Sequence, residues 1–198
     1  MGDPKAPDGR TGTPHREVPQ VLVLAGPGTT PAPAKLIAAW QDALPAAALR
    51  ALDVLDGAET VTGAQVLRRI SAARLSTWPV LLVGLRGGEA VALRAALDIP
   101  DRACRGALIC GDLQHLPPLP IVQSGARSLP LRFVWETPNP LPSATALGEW
   151  LSLYRAHGMD AQGLVVPPSS AAPPCGAATS RAGLAFLSEL VAIALSSR

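Results

Sequence analysis

The distribution of apolar residues divides the chain into strand-like runs separated by helix-like segments. A continuous apolar run, VLVLA, begins at Val21 and ends at the glycines of GPG. A run that is apolar at every position is typical of a strand buried on both faces of a sheet. The same kind of pattern predicts five further strands, in the segments ALRALDVLD, PVLLVG, GALIC, LRFVWE and QGLVVP.

Segments with apolar residues at helical spacing lie between these runs, and one face of each is expected to pack on a sheet. Residues 33–44 form the first of them, and a Thr-x-x-Gln capping box at Thr62 to Gln65 begins the second. In a later helix Ser143 is the expected N-cap and Gly158 the expected stop. The apolar positions are Leu36, Ile37, Trp40 and Leu44; Val66, Leu67, Ile70 and Ala73; Ala90, Val91, Leu93 and Leu97; Leu147, Trp150, Leu151 and Tyr154; and Leu184, Leu187, Leu190 and Val191.

The alternation of strands and helices predicts an α/β fold of three layers, with a mostly parallel sheet and helices on both faces. Residues 1–18 are rich in proline, glycine and charge, and we expect a disordered tail there, followed by a single domain over 19–198. In such sheets a ligand binds beyond the carboxyl ends of the strands, so the residues after each strand carry the functional information.

Composition excludes several classes of function. The chain has 198 residues, of which 48% are hydrophobic and 16% charged, with a net charge of +2. The arginines are interrupted by acidic residues, which argues against a nucleic-acid partner. The start lacks the apolar core of a secretory signal, and the most apolar stretch, near Leu184 to Leu195, is interrupted by Ser188 and Glu189. We therefore expect a cytoplasmic protein with no membrane partner.

The three cysteines give no sign of a metal site. Cys104, Cys110 and Cys175 have no CxxC spacing and no accompanying histidine cluster. Reduced thiols are expected in a cytoplasmic protein. We expect neither a metal nor a cofactor.

One strand-to-helix segment carries a resemblance to a known family. PVLLVGLRGGEAVALRAAL resembles the nucleophile elbow of α/β hydrolases, especially the small carboxylesterase and thioesterase type without a large lid. That family places G-x-S-x-G at a sharp turn between strand and helix. Here the motif reads Gly84-Leu85-Arg86-Gly87-Gly88, so both outer glycines match and Arg86 stands where the family has its serine.

The resemblance extends over residues 20–198 and implies positions for the rest of the site. VLVLAGPGTTP resembles the first core strand and the oxyanion-hole loop, with Ala25 in place of a histidine. The acidic residue of the triad would fall at Asn139, or at Glu136 if the alignment shifts by a few residues. The triad histidine would fall in the loop 167–178 near Cys175, and this loop contains no histidine.

These replacements predict a catalytically inactive homologue. A guanidinium has only donor N–H groups and a pKa above about 12, so Arg86 cannot act as a nucleophile. Asn139 carries no charge with which to stabilise an imidazolium. We expect the protein to bind either a small anionic or acyl ligand, with Gly26, Arg86 and Gly87 as contacts, or a partner protein.

Two alternatives remain open from the sequence. Arg86 could instead pair with a nearby acid, such as Glu89, Asp112 or Glu136, and bind nothing. The protein could also cleave small esters or thioesters with Cys110 or Cys175 as the nucleophile. Cys110 is followed by Asp112 and His115, although no spacing places a base beside the thiol.

Overall fold

The structure, a computed structural model, describes residues 18–25, 32–53, 65–66, 68, 80–85, 87–99, 104–116, 128–168 and 177–196. The predicted N-terminal tail lies almost entirely outside these residues. The strands are β1 (Gln20–Ala25), β2 (Ala48–Asp53), β3 (Val80–Leu85), β4 (Cys104–Gly111), β5 (Pro130–Glu136) and β6 (Asp160–Val166). The longer helices are α1 (Ala32–Ala43), α2 (Glu89–Asp98), α3 (Pro140–Ala156) and α4 (Ala177–Ser196).

The six strands form one parallel sheet in the order β2-β1-β3-β4-β5-β6. Each predicted apolar run falls on one of these strands, and the predicted three-layer α/β architecture is confirmed. Since all strands run in the same direction, their carboxyl ends share one edge of the sheet. This edge is called the carboxyl edge below, and the opposite one the amino edge.

Alternate residues of each strand supply two apolar layers. On one face, Leu22 and Leu82 pack with α2 and α3; on the other, Val21 and Leu81 pack with α1 and α4. Gln65, Val66 and Arg68 are helical, in the helix predicted after Thr62, and Val66 is buried in the layer of α2 and α3. The continuous apolar pattern of the strands is thereby explained, because both of their faces are covered.

The start of α3 corrects one prediction. Asn139, not Ser143, is the N-cap, and Ser143 lies buried inside the first turn with its hydroxyl 3.4 Å from Oγ1 of Thr137. Pro140 and Pro142 are accommodated because the first N–H groups of a helix have no partner within the helix. The predicted stop at Gly158 is confirmed, since this glycine has a φ of 81° directly after the C-cap His157.

A fully buried arginine joins three elements near the amino edge. Arg132 of β5 is 0% exposed. Its guanidinium donates two hydrogen bonds to the Glu189 carboxylate of α4, at 3.1 and 2.6 Å, and one to the Asp160 carboxylate of β6 at 2.7 Å. Two more go to the carbonyls of Leu131 and Asp160, at 3.1 and 2.7 Å. The charge is therefore enclosed by two carboxylates and two carbonyl groups.

The ionisation of this cluster follows from its contacts. Burial alone would lower the pKa of Arg132, but its hydrogen bonds and charge attraction to Glu189 and Asp160 raise it above the ordinary value. Burial would raise the pKa of Asp160, but the hydrogen bond and the charge of Arg132 hold it below 3.8, its ordinary value. Both shifts favour the charged forms of Arg132 and Asp160.

Helix α4 is long and apolar enough to cross a membrane by length and composition alone, over Ala178–Ser196. In the fold it forms part of an outer layer of the domain. Leu187, Leu190 and Val191 are buried against the sheet, and Glu189 pairs with Arg132. This packing buries one face of the helix.

Candidate functional site

The carboxyl edge brings together the residues that follow β3, β4, β5 and β6. The strand ends there are Leu85, Gly111, Glu136 and Val166. In open parallel sheets this is the edge at which ligands bind. Three of the predicted site residues, Gly26, Arg86 and Cys175, lie outside the described residues. Gly87, Asn139 and Cys110 lie within them.

The turn between β3 and α2 requires glycine at both outer positions of the sequence motif. A Cβ on Gly84 would lie 2.8 Å from Cβ of Ala92 and 2.8 Å from Cα of Glu89, and one on Gly88 would overlap the carbonyl of Leu24 in β1. The N–H of Gly88 donates to the carbonyl of Leu85 at 2.9 Å, which closes the turn over 85–88. This turn, called the elbow below, has Arg86 as its second residue.

A buried carboxylate lies against the elbow. Glu89, the first residue of α2, is only 7% exposed, and its Oε2 accepts a hydrogen bond from the backbone N–H of Gly87. Its Oε1 occupies the space that a Cβ on Gly111 would fill, at the end of β4. Gly87 has a φ of 83° and Gly111 a φ of 149°, both in the range that favours glycine. Gly111 thus leaves room for this carboxylate, and Gly87 supplies its N–H donor.

Asn139 is exposed at the N-cap of α3 and makes no side-chain capping bond. Its backbone is fixed instead, since its N–H donates to Oγ1 of Thr137 at 3.3 Å and its carbonyl accepts from the N–H of Ser143 at 3.4 Å. The residue is exposed to solvent, three positions beyond the end of β5.

Glu136, the last residue of β5, lies at the other position that the sequence left open for the acid. Its Oε2 accepts a hydrogen bond from Oγ1 of Thr179 at 2.6 Å, and Thr179 is 0% exposed in the first turn of α4. The structure thus brings a carboxylate at the end of β5 together with a hydroxyl that follows β6. Sequence reasoning missed Thr179; the available signal was a polar residue beginning an apolar helix next to the loop where a histidine was expected.

Cys110 is the next-to-last residue of β4 and is 1% exposed. It belongs to the apolar layer of α1 and α4, where a Cβ on Gly183 would lie 3.3 Å from its Sγ. Asp112, two residues on, is exposed and accepts a hydrogen bond from the N–H of Gln114 at 3.1 Å. His115 ends the short 3-10 helix Leu113–His115. The thiol is thus packed under α4, while the Asp112 carboxylate caps a turn.

Within the part of the chain that the structure describes, His, Cys, Asp and Glu side chains form no group of three that could hold a metal ion.

Comparison with known proteins gives a fold. No protein-family model matches the chain, and no curated protein matches it significantly by sequence. Among solved structures, esterase PE8 aligns at 20% identity over 87% of this chain and 92% of its own, with a TM-score of 0.56.

Two further structures agree. A protein of unknown function from Agrobacterium tumefaciens aligns at 15% identity, with a TM-score of 0.61, over 88% of this chain and 92% of its own. A phospholipase/carboxylesterase from Dyadobacter fermentans aligns at 13% identity, with a TM-score of 0.56, over 89% of this chain and 90% of its own. At these identities the likeness concerns the fold alone, and the chain has the α/β fold of the α/β-hydrolase esterases.

Proposed function

We propose that this protein is a catalytically inactive α/β-hydrolase homologue that acts by binding, either a small anionic or acyl ligand or a partner protein, at the carboxyl edge of its sheet. The observation that carries the proposal is the elbow. Gly84 and Gly88 are both required by close backbone approach, so the turn over 85–88 has the motif register in which the family places its nucleophile. The residue at that position is Arg86.

An arginine at this position supports binding over hydrolysis. Nucleophilic hydrolysis needs a hydroxyl or thiol that loses its proton to a base. A guanidinium stays protonated near neutral pH and offers only donors, arranged in a fork that matches carboxylate and phosphate. Arg86 is thus suited to recognising an anion.

The remaining triad positions support the same conclusion. The acid position falls at Asn139, which carries no charge, or at Glu136 if the alignment shifts, and Glu136 accepts a hydrogen bond from Thr179. Residues 167–178, which follow β6, contain no histidine. A carboxylate cannot replace the imidazole, because the imidazole is the group that takes the proton from the nucleophile and returns it to the leaving group.

A hydrolase that uses Cys110 is less well supported. A reactive cysteine is partly exposed and lies in surroundings that stabilise its thiolate. Cys110 is 1% exposed and packs among the apolar side chains of α1 and α4. Cys175 stays a candidate from its place in the sequence only. The cytoplasmic location likewise remains a prediction.

Hydrolysis of a short-chain nitrophenyl ester by purified protein tests the proposal. We expect the native chain to show no saturable turnover above the buffer rate, with or without prior blocking of its thiols. Arg86→Ser supplies a hydroxyl at the elbow, and Arg94→Ser, at an exposed position of α2, is the matched control. Saturable turnover by the native chain that thiol blocking abolishes would overturn the proposal and identify a cysteine nucleophile.

A further inference from the structure

The elbow contains one backbone group with a defined role in α/β hydrolases. In that fold the N–H of the residue after the nucleophile forms part of the oxyanion hole. Counted from Arg86, this N–H belongs to Gly87, and it donates to the carboxylate of Glu89. The donor that would stabilise a reaction oxyanion is already paired with an anion of the chain itself.

We infer that the Glu89 carboxylate is an internal ligand that occupies the oxyanion position of the elbow and closes it to external anions. The inference rests on the proposed function and refines it. If the elbow N–H is occupied, an external anion cannot use it as a donor, which leaves the proposed role of the Arg86 guanidinium independent of the Gly87 backbone.

The surroundings of Glu89 suit a carboxylate. It lies at the start of α2, where the unpaired N–H groups and the helix dipole favour negative charge. An exposed acidic residue in a first turn would gain from the same dipole, but Glu89 is 7% exposed and is enclosed by the end of β4. Burial of an acidic side chain is rare unless the site satisfies it.

Gly111 supplies the second, independent part of this site. It lies 22 positions further along the chain, and any side chain larger than hydrogen there would overlap Oε1 of Glu89. Its φ of 149° also disfavours other residues. A local helix cap would need no such space in a neighbouring strand, so the carboxylate is accommodated by the tertiary fold.

The consequence for ligands is electrostatic and steric. An external carboxylate or phosphate approaching the Gly87 N–H would meet a like charge that is excluded from water, where repulsion is least screened. It would also compete for the single hydrogen atom of that N–H. Removing the Glu89 side chain should therefore create an empty site of the size and polarity of a small carboxylate.

Rescue by acetate tests the inference. The melting temperatures of Glu89→Ala and Glu89→Gln are compared in increasing sodium acetate, with sodium chloride added to hold the ionic strength constant. Both variants lose the charge, but glutamine keeps an oxygen that can accept from Gly87, so only the alanine variant opens the site. We expect acetate to raise the melting temperature of Glu89→Ala by about 2–4 °C more than that of Glu89→Gln.

An equal response of the two variants to acetate would overturn the inference, whether or not the native chain hydrolyses esters. A second measurement applies if Glu89→Ala does not fold. The amide proton of Gly87 is observed by NMR in the native chain and in Glu89→Gln. We expect it to move upfield in Glu89→Gln, because hydrogen bonds to a charged acceptor are stronger. An unchanged Gly87 amide resonance would contradict the inference.

Discussion

The two edges of the sheet hold ionisable side chains in different ways. Near the amino edge, the Arg132 guanidinium is matched by opposite charges, the carboxylates of Asp160 and Glu189, at 2.7 and 2.6 Å. At the carboxyl edge, the Glu89 carboxylate is held by a backbone N–H and the Glu136 carboxylate by the Thr179 hydroxyl. The amino-edge cluster is a structural link between β5, β6 and α4. The carboxyl edge carries acidic groups beside the elbow and at the end of β5.

The glycines of the elbow and the positions of the triad are subject to different requirements. The elbow keeps the glycines that its close contacts require. Under the proposed function, Arg86 replaces the nucleophile and residues 167–178 supply no histidine. The glycines are required by packing, which applies whether or not the protein is an enzyme, while the triad is required only for the reaction.

The largest effect is expected from Gly88→Ala, because the new Cβ would overlap the backbone of Leu24. Neither backbone segment can move without disturbing β1 or α2, so we expect a loss of at least about 4 kcal/mol in the free energy of unfolding, or failure to fold. Urea denaturation measures it. Gly148→Ala is the control: nothing lies near a Cβ there, and alanine in a helix is expected to stabilise by up to about 1 kcal/mol. Equal stability of Gly88→Ala and native protein would contradict the elbow geometry.

The next effect is expected at Arg132. Asp160→Asn combined with Glu189→Gln leaves a buried guanidinium without an opposite charge, and we expect a loss of about 3 kcal/mol. This lies at the lower end for broken buried pairs, because both carboxylates are partly exposed to water and already screened. Adding Arg132→Met to the double variant should recover part of the lost free energy of unfolding, as measured by urea denaturation. A triple variant less stable than the double variant would show that the packing of the arginine and its hydrogen bonds to the carbonyls of Leu131 and Asp160 outweigh the cost of the unpaired charge.

A smaller effect is expected from Thr179→Val, which keeps the shape of a fully buried side chain and removes the donor to Glu136. We expect a loss of about 1–2 kcal/mol. Thr145→Val, at an exposed position of α3 where the hydroxyl bonds the carbonyl of Leu141, is the control and should change stability by less than about 0.5 kcal/mol. Equal effects of the two substitutions would mean that the hydrogen bond from Thr179 to Glu136 contributes no more to stability than an exposed one.

The smallest effect concerns pH and Asp160. Its pKa in the folded protein lies below the ordinary 3.8 because of Arg132, against the opposing effect of burial. A carboxyl with a lowered folded pKa contributes stability that is complete above its unfolded pKa and is lost as the pH falls through the folded value. The stability advantage of native protein over Asp160→Asn should therefore shrink as the pH falls below 3.8. A stability advantage that stays constant as the pH falls below 3.8 would mean that the charge of Asp160 does not contribute to stability.

The sequence predicted the fold well because the strands are apolar at every position and alternate with helical segments. That pattern reports burial on both faces of a sheet, which is a property of the whole domain. It predicted the start of α3 wrongly, because serine is a common N-cap and Pro140 and Pro142 did not by themselves indicate that the helix begins before Ser143.

The candidate site was predictable in part. The glycine spacing around Arg86 identified the elbow, since the spacing is a local property of the turn. The sequence suggested Glu89 only as a partner for Arg86. Its contact with the Gly87 N–H and the space at Gly111 depend on where β4 ends relative to α2, which the sequence alone does not give. The pairing of Glu136 with Thr179 depends in the same way on the packing of α4 against β5.

The most direct test of the central claim, that the carboxyl edge carries no catalytic nucleophile, is the intact mass of the native protein after prolonged exposure to a fluorophosphonate and to an activated ester. Samples with free and with blocked thiols are compared. The account predicts that the mass stays unchanged by the fluorophosphonate and that the ester leaves no acyl group on the protein. A stoichiometric adduct that maps to a single side chain, above all to Cys110 or Cys175, would contradict it and show that the carboxyl edge is an active site.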